Sequence, residues 1–443
     1  MRRQSLARWA LCAVLCAWPV ASAGDELVDA VRASAAATAK DVVTWRRDFH
    51  QHPELGNRET RTAGIVAQEL EALGMSVRTG VAHTGVLGVL EGGGGPGPTV
   101  ALRADMDALP VTEDTGLPFA STLRTTDQGR EVGVMHACGH DAHVAILLGA
   151  ARTLAANRER LPGRVLFVFQ PAEEGAPQGE EGGARLMLKE GAFEDPRPDA
   201  VLGLHVVPQY EAGTLAVVSG GAMAGSDRLA IRVEGRQTHA AYPWLGVDPI
   251  AVAAQIVLAL QAIPARRIDA RHPSVVSIGT IQGGVRGNII PDQVEMTGTI
   301  RHTHPPLQDG LHALVKSTAE TIAESAGAKA HVEIRKGYPV TYNDPALTAR
   351  IRPALERAAS EPGTRVITGL LRTGAEDFSF FAQEVPGVYF WLGIREPGTS
   401  MEDAAPNHSP FFVIDESALP LGVRAMSLAT IDLLTGGVAA PGP

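Results

Sequence analysis

The sequence predicts an α/β protein with a largely buried sheet, interrupted by a smaller α+β domain. Three observations carry this. Short apolar runs alternate with helical patterns through the first half of the chain. At about residue 221 the order becomes strand-helix-strand-strand-helix-strand, that of a ferredoxin-like unit. By about residue 340 the α/β pattern has resumed, and it runs to the end. A chain of 443 residues is also too long for one simple core. The expected division is a leader over 1–23, a larger domain over 24–220 and 336–443, and an insert over 221–335.

The leader reads MRRQSLARWALCAVLCAWPVASAG. Arg2, Arg3 and Arg8 make a positive start, the run from Trp9 to Val20 is apolar, and Ala21-Ser22-Ala23 has the form of a cleavage site. The apolar run is too short to span a bilayer comfortably. A secretory signal peptide is expected, cleaved after Ala23, with a periplasmic or secreted mature chain. Cys12 and Cys16 leave with it, so Cys138 is the single cysteine of the mature chain. No internal disulfide is then possible. A lone thiol there is either buried and inert or held as a thiolate by a metal.

Residues 25 to 50 carry helical periodicity. ETRTAGIVAQELEALG is a second helix, ending at Gly74. TGVLGVLEG and TVALRADMD read as strands, joined through the low-complexity loop EGGGGPGP. HVAILLGAARTLAAN is a helix, RVLFVFQ a strand, ARLMLKEG a helix and AVLGLHV a strand. In the insert, RLAIRVEG alternates like a half-exposed strand. DPIAVAAQIVLALQAI follows as a helix, with Asp248 as N-cap and Pro249 at the first helical position. SVVSIGTIQGG, QVEMTGTIRH, GLHALVKSTAETIAESAG and AHVEIRKGYP complete the unit as strand, strand, helix and strand.

The composition is that of a soluble globular protein, 45% hydrophobic and 20% charged. Loss of the three leader arginines takes the formal charge from −10 to −13. That argues against nucleic acid, or an anionic membrane after signal cleavage, as a partner.

Chemistry-bearing residues gather where strands end, the place where α/β sheets build sites. MHACGHDAH opens a helix, PAEEG follows the strand RVLFVFQ, GLHVVP ends another strand, and NHSPFF lies in the resumed α/β part. Cys138 and His140 are two apart and project to one side of an extended segment. Thiolate and imidazole suit zinc, manganese or cobalt. A closed structural site would draw on several cysteines, and the mature chain has one. Glu173 and Glu174 are adjacent, so on a non-helical backbone they point apart. One can hold a metal while the other takes a proton from water. By itself a Glu-Glu pair is most often a solvated loop.

Taken together, RRDFHQHPELG, RADMDALP, MHACGHDAH, PAEEG, GLHVVP, GRQTHAAYP, GNIIPD, AEDFSFF and NHSPFF resemble the aminoacylase/hippurate hydrolase family of co-catalytic metallopeptidases. The set is most similar to the amidohydrolase branch, which includes hippurate, N-acyl-amino-acid and auxin-conjugate hydrolases. The motifs come in order and cover nearly all of the mature chain.

The resemblance implies a catalytic domain with a central, mostly parallel sheet and a ferredoxin-like insert serving as lid and dimerisation domain. It implies two divalent metal ions, zinc, manganese or cobalt, with Cys138 shared between them. His140, Glu174, His205 and His408 complete the implied ligands, and Glu173 is the implied general base and acid. His239 is similar to a histidine that crosses a homodimer to the neighbouring site and stabilises an oxyanion. Asn288 and Arg301 look like the groups for a substrate carboxylate. Without the resemblance, His239 reads as a surface loop histidine and Arg301 as half of a surface ion pair.

The strand that carries a ligand histidine two residues before an aspartate in related peptidases has Arg103 ahead of Asp105 here. Asp105 is then expected to orient a ligand rather than to bridge. His136 and His143 receive no ligand role. The expected substrate is an N-acyl amino acid. A metallo-carboxypeptidase or dipeptidase acting on a short peptide is the alternative. A non-catalytic exported metal- or amino-acid-binding protein is a third reading, disfavoured by Glu173 beside Glu174.

Overall fold

In the computed structural model, which describes residues 23–436, eight strands form one mixed sheet. The expected leader lies outside these residues apart from Ala23, the first residue of the helix Ala23–Ala37. The spatial order is Ser76–Val81, Gly85–Glu91, Arg164–Gln170, Thr99–Asp105, Ala200–Glu211, Gly387–Arg395, Thr214–Val217, Arg365–Thr368. The four central strands are mutually parallel. Antiparallel pairs occur toward both edges.

Both faces of the sheet are covered, which is why its strands read as continuous apolar runs. Every residue of Thr99–Asp105 is buried. Val100 and Leu102 join the core under the helices His140–Ala155 and Leu419–Leu434. Ala101 joins the opposite core, with Phe378 and Phe381 of the short helix Phe378–Glu384. Arg103 and Asp105 alternate onto that second face and are buried there despite their charge.

The insert forms a separate four-stranded antiparallel sheet, ordered Ser274–Gly283, Gln293–His302, Gly225–Glu234, Lys329–Tyr338. Helices Pro249–Arg266 and Gln308–Ser325 cover one face and enclose a core of their own. Asp248 caps the first of them, accepting from the backbone N–H of Ile250 at 2.9 Å and Ala251 at 3.3 Å. Gly74 follows the helix Thr60–Ala72 at φ +72°, the left-handed geometry that ends a helix.

Among the features not read from the sequence, two are short. Arg124–Asp127 and Arg130–Gly133 form a hairpin in the long loop between a central strand and the helix His140–Ala155. Thr214–Val217 enters the sheet beside Gly387–Arg395. Both are only four residues long, too short for periodicity to mark.

Candidate metal centre and substrate cleft

The site is built where the parallel strands end. Gly139 lets the chain turn from an extended segment into the helix His140–Ala155. Its φ is +97°, and a Cβ there would meet Val206 Cγ2 at 2.3 Å. This close approach lays Cys138 against the strand that carries His205. Cys138 Sγ lies 3.4 Å from His205 Nε2. The loop of NHSPFF is pinned from the other side. The His408 N–H donates to the Ala137 carbonyl at 2.7 Å, and Asn407 Nδ2 to the Cys138 carbonyl at 3.0 Å. Ala172 and His408 both sit at positive φ, 51° and 71°. For residues with a Cβ that is strained backbone.

Five groups of three candidate ligand atoms result among the described residues, each with its members within 4.8 Å of one another, and two of them contain Cys138. One is Cys138, His140 and His205, and the other is Cys138, Glu174 and His408. They share Cys138, as a bridging thiolate requires.

Hydrogen bonds leave the right nitrogen free on two of the histidines. His205 Nδ1 donates to the Val206 carbonyl at 2.8 Å, so Nε2 carries the lone pair. His140 Nδ1 donates to Asp107 Oδ1 at 3.1 Å, and its buried Nε2 has no hydrogen-bond partner among the described residues. Asp107 Oδ2 accepts from the Glu174 N–H at 3.0 Å. One carboxylate therefore orients two candidate ligands.

His143 is different. Its Nε2 accepts from the Val206 N–H at 2.9 Å, so Nδ1 must be the donor, to Asp105 Oδ1 at 2.6 Å. Both nitrogens are used, and His143 has no lone pair left for a metal. Asp105 gives its other oxygen to Arg103 at 2.6 Å. It braces His143, whereas the hydrogen bond behind ligand candidate His140 comes from Asp107. Among the described residues His136 is buried without a partner on either nitrogen, and burial holds it neutral, with its pKa down at about 4.

Glu173 is buried beside the triplets, with Oε2 3.9 Å from His140 Nε2. Its carboxylate also neighbours those of Glu376 and Asp377. The Tyr338 hydroxyl donates to the Glu173 carbonyl at 2.9 Å, so the last strand of the insert anchors this turn. Arg103 is the cation behind the cluster. It donates to Gln170 at 2.8 Å, Glu376 at 2.9 Å and Asp377 at 3.1 Å, besides Asp105. On the opposite side, RRDFHQHPELG supplies Arg46 and His50, which clamp Asp141 next to His140 at 2.9 and 2.8 Å.

The electrostatics favour added cations. Burial and the carboxylates of Glu376 and Glu174 raise the pKa of Glu173 well above the usual range. Burial, with Glu174 and Glu173 nearby, pushes the Cys138 thiol up. Burial alone would lower His140, but Asp105 and Asp107 outweigh it and raise its pKa to about 10. A buried pocket with so many carboxylates must hold protons or bind positive ions. A thiol, three imidazoles and a carboxylate suit borderline divalent metals. The residues present therefore fit two such ions.

The insert contributes its groups differently. His239 is exposed, on a two-residue ladder with Ile289–Ile290. The same ladder brings it beside Asn288, whose carbonyl accepts from the Ala240 N–H at 3.0 Å. The His239 side chain accepts only from the Ala241 N–H, at 3.0 Å, among the described residues. Arg301 is half-buried on the open face of the insert sheet. Asp107, Tyr338, Glu376 and Asp377 were not singled out from the sequence. The motifs RADMDALP and AEDFSFF were noticed, but nothing in them tells which carboxylate reaches which partner.

Residues 101–431 match the peptidase family M20/M25/M40. The chain is 39% identical over 392 residues to thermostable carboxypeptidase 1 of Saccharolobus solfataricus, covering 88% of this chain and 94% of that one. It is 36% identical over 380 residues to an N-acetyl-L-cysteine deacetylase of Bacillus subtilis, covering 86% and 85%. Among solved structures it is similar to the Bacillus subtilis YXEP protein, described as a dinuclear metal-binding peptidase. The TM-score is 0.76 at 34% identity, over 90% of this chain and 99% of that one. A shared fold at this identity, over nearly the whole length, places the chain in the peptidase family M20/M25/M40.

Proposed function

We propose that this protein hydrolyses the amide bond of N-acyl amino acids, releasing a carboxylic acid and an amino acid. Metal-dependent amide hydrolysis follows from the family. The finer reading rests on one observation above all. Glu173 stands free of the two triplets that share Cys138, yet its carboxylate adjoins the ligand atoms of His140 and Glu174. A carboxylate outside both triplets but beside their ligand atoms is placed as a general base is.

Cys138, His140, Glu174, His205 and His408 would hold two divalent ions, which supply Lewis acidity to the amide carbonyl and the attacking water. Glu173 takes a proton from that water and delivers it to the leaving nitrogen. Its burial and the neighbouring carboxylates favour proton uptake. Arg301 and Asn288 bind the carboxylate of the amino-acid half. His239 is exposed, and on the resemblance of QTHAAYP to the family motif it is read as serving the site of a second subunit and donating to the oxyanion there.

The dimer reading rests on the family resemblance; an interface on the insert would cover some of its exposed apolar side chains, Trp244 at 72%, Leu258 at 73% and Val285 at 88%. The insert is proposed to act as lid and dimerisation domain. Export to the periplasm or medium rests on the leader, and mass spectrometry of the secreted chain should find Gly24 as its first residue.

The test is Glu173→Gln. With metal content unchanged, turnover should fall by roughly 10³-fold or more. Normal turnover in that variant would end the assignment. Run on N-benzoylglycine, N-acetyl amino acids and dipeptides, the same assay separates this reading from a carboxypeptidase or dipeptidase. That alternative stays in view because of the relative named as a carboxypeptidase.

A further inference from the structure

We infer that Arg228 and Arg301 form one cationic subsite and that the preferred substrate is an N-acylated dicarboxylic amino acid. Its second carboxylate is read by Arg228. This deepens the proposed function and rests on its assignment of Arg301.

The strand register places the two arginines together. Gly225–Glu234 pairs with Gln293–His302 so that Ser226 faces Arg301 and Arg228 faces Thr299. Directly opposed residues share a face, and so do residues two apart on one strand. Arg228 and Arg301 are thus diagonal neighbours, with stems roughly 7 Å apart. The other face is closed by the two insert helices over Leu229 and Ile300. The arginine face is the open one.

At Arg228 that face looks onto the metal-ligand side of the large domain. A cavity of about 490 Å³ is lined by Arg228 of the insert together with Asp107 and Glu174 of the large domain. Arg58 lines it as well, but is taken by Glu180 at 2.5 Å.

Neither Arg228 nor Arg301 has a carboxylate partner among the described residues. Asp227, between them in sequence register, turns to the helix side. It is occupied there by His312 at 2.6 Å, Gln308 at 3.2 Å and the Gly337 N–H at 3.1 Å. Arg335, opposite Arg228, is paired with Glu333 at 2.6 Å. Two like charges side by side on one sheet face repel each other. A ligand bearing two carboxylates relieves that repulsion, with each guanidinium forking onto one of them. A substrate with only its α-carboxylate would leave Arg228 without a directly bonded carboxylate. Because Arg228 neighbours the proposed α-carboxylate group, the second charge belongs to the amino-acid half rather than the acyl half.

The experiment compares kcat/KM for N-acetyl-L-glutamate, N-acetyl-L-glutamine, N-acetyl-L-leucine and N-succinyl-L-leucine, using the metal-loaded full chain and its Arg228→Gln and Arg228→Lys variants. The wild type should prefer glutamate over glutamine by roughly tenfold or more, expressed in KM, as suits an ion pair that remains solvent-accessible. Arg228→Gln should collapse that ratio to about one, and Arg228→Lys should restore part of it. Equal rates on glutamate and glutamine in the wild type would overturn the inference. So would an equal loss on all four substrates in Arg228→Gln, because Arg228 would then share the single α-carboxylate. A loss confined to the succinyl substrate would place the second charge in the acyl half and overturn it too. If no amide is cleaved by the loaded wild type, the proposed function fails first. Calorimetric binding of N-acetyl-glutamate and N-acetyl-glutamine to Glu173→Gln protein then decides the subsite alone. Tighter binding of glutamate supports it, and equal affinity overturns it.

Discussion

Arg103 and Arg228 are the same side chain on opposite walls of the molecule. Arg103 is buried, with bonds to Asp105, Gln170, Glu376 and Asp377. Arg228 is exposed and bonded to none of the described residues. The contrast extends to their surroundings. On the large-domain wall, the nitrogens of His140 and His205 that face away from the triplets are occupied from behind, and Asp107 and Asp105 each use both oxygens. On the insert wall, His239, Asn288 and Arg228 are exposed, and Arg301 is half so. Folding completes the support behind the first wall and leaves its ligand atoms for cations. The second is completed by what binds to it. Preorganised polar groups suit metal and proton chemistry, whereas exposed groups on a separate sheet suit selection of the substrate.

The comparison can be broken most forcefully at Arg103. Arg103→Met leaves Asp105, Glu376 and Asp377 as buried carboxylates without their cation. Stability should fall by about 3–5 kcal/mol in denaturant unfolding of the metal-loaded protein. A loss under about 1 kcal/mol would show that this wall is not held by charge pairing.

The pH dependence of metal loading probes the same wall from within. In the absence of ions, burial and nearby carboxylates raise Cys138, and Asp105 and Asp107 raise His140 to about 10. Both groups are then protonated at neutral pH and must deprotonate to ligate. Loading should release at least two protons, since Glu174 raises His408 as well, and affinity should climb by roughly 100-fold or more per pH unit below those pKa values. Calorimetry in buffers of different ionisation enthalpy reads the proton count directly. Loading without proton release would contradict a thiolate ligand.

Asp107→Asn is a smaller change. It keeps the size of the group but weakens its hold on His140, and metal affinity should drop by roughly 10–100-fold. Unchanged affinity would mean that His140 is oriented by something else. Smallest of all is the effect of Arg228→Gln on folding. Its unfolding free energy should stay within about 0.5 kcal/mol of the parent. A larger loss would make Arg228 structural and erase the contrast with Arg103.

The two walls were also unequally legible in the chain. Thr99–Asp105, Arg164–Gln170 and Ala200–Glu211 announce themselves as apolar runs, because strands covered on both faces leave no polar alternation. Asp248 and Gly74 mark helix ends through local hydrogen bonding and a local backbone angle. Cys138, His140, Glu174, His205 and His408 were named from motifs, and the fold brings their ligand atoms together. His239 and Asn288 were named separately and prove to be neighbours across a two-residue ladder.

What stayed hidden depends on distance along the chain. Asp105 and Asp107 are indistinguishable as carboxylates in RADMDALP. The strand ends at Asp105, and the turn after it sends Asp107 to His140 and the Glu174 N–H. Arg103 meets Glu376 and Asp377 across 273 and 274 residues, a pairing that no local pattern encodes. Residue type and spacing were enough to declare the sheet, the insert and the metal-binding chemistry, since periodicity and ligand preference act over a few residues. Which carboxylate braces, which neighbours the base and which arginine is left unpaired required strands from three parts of the chain to lie side by side. Charges interact through space, and only packing sets those distances.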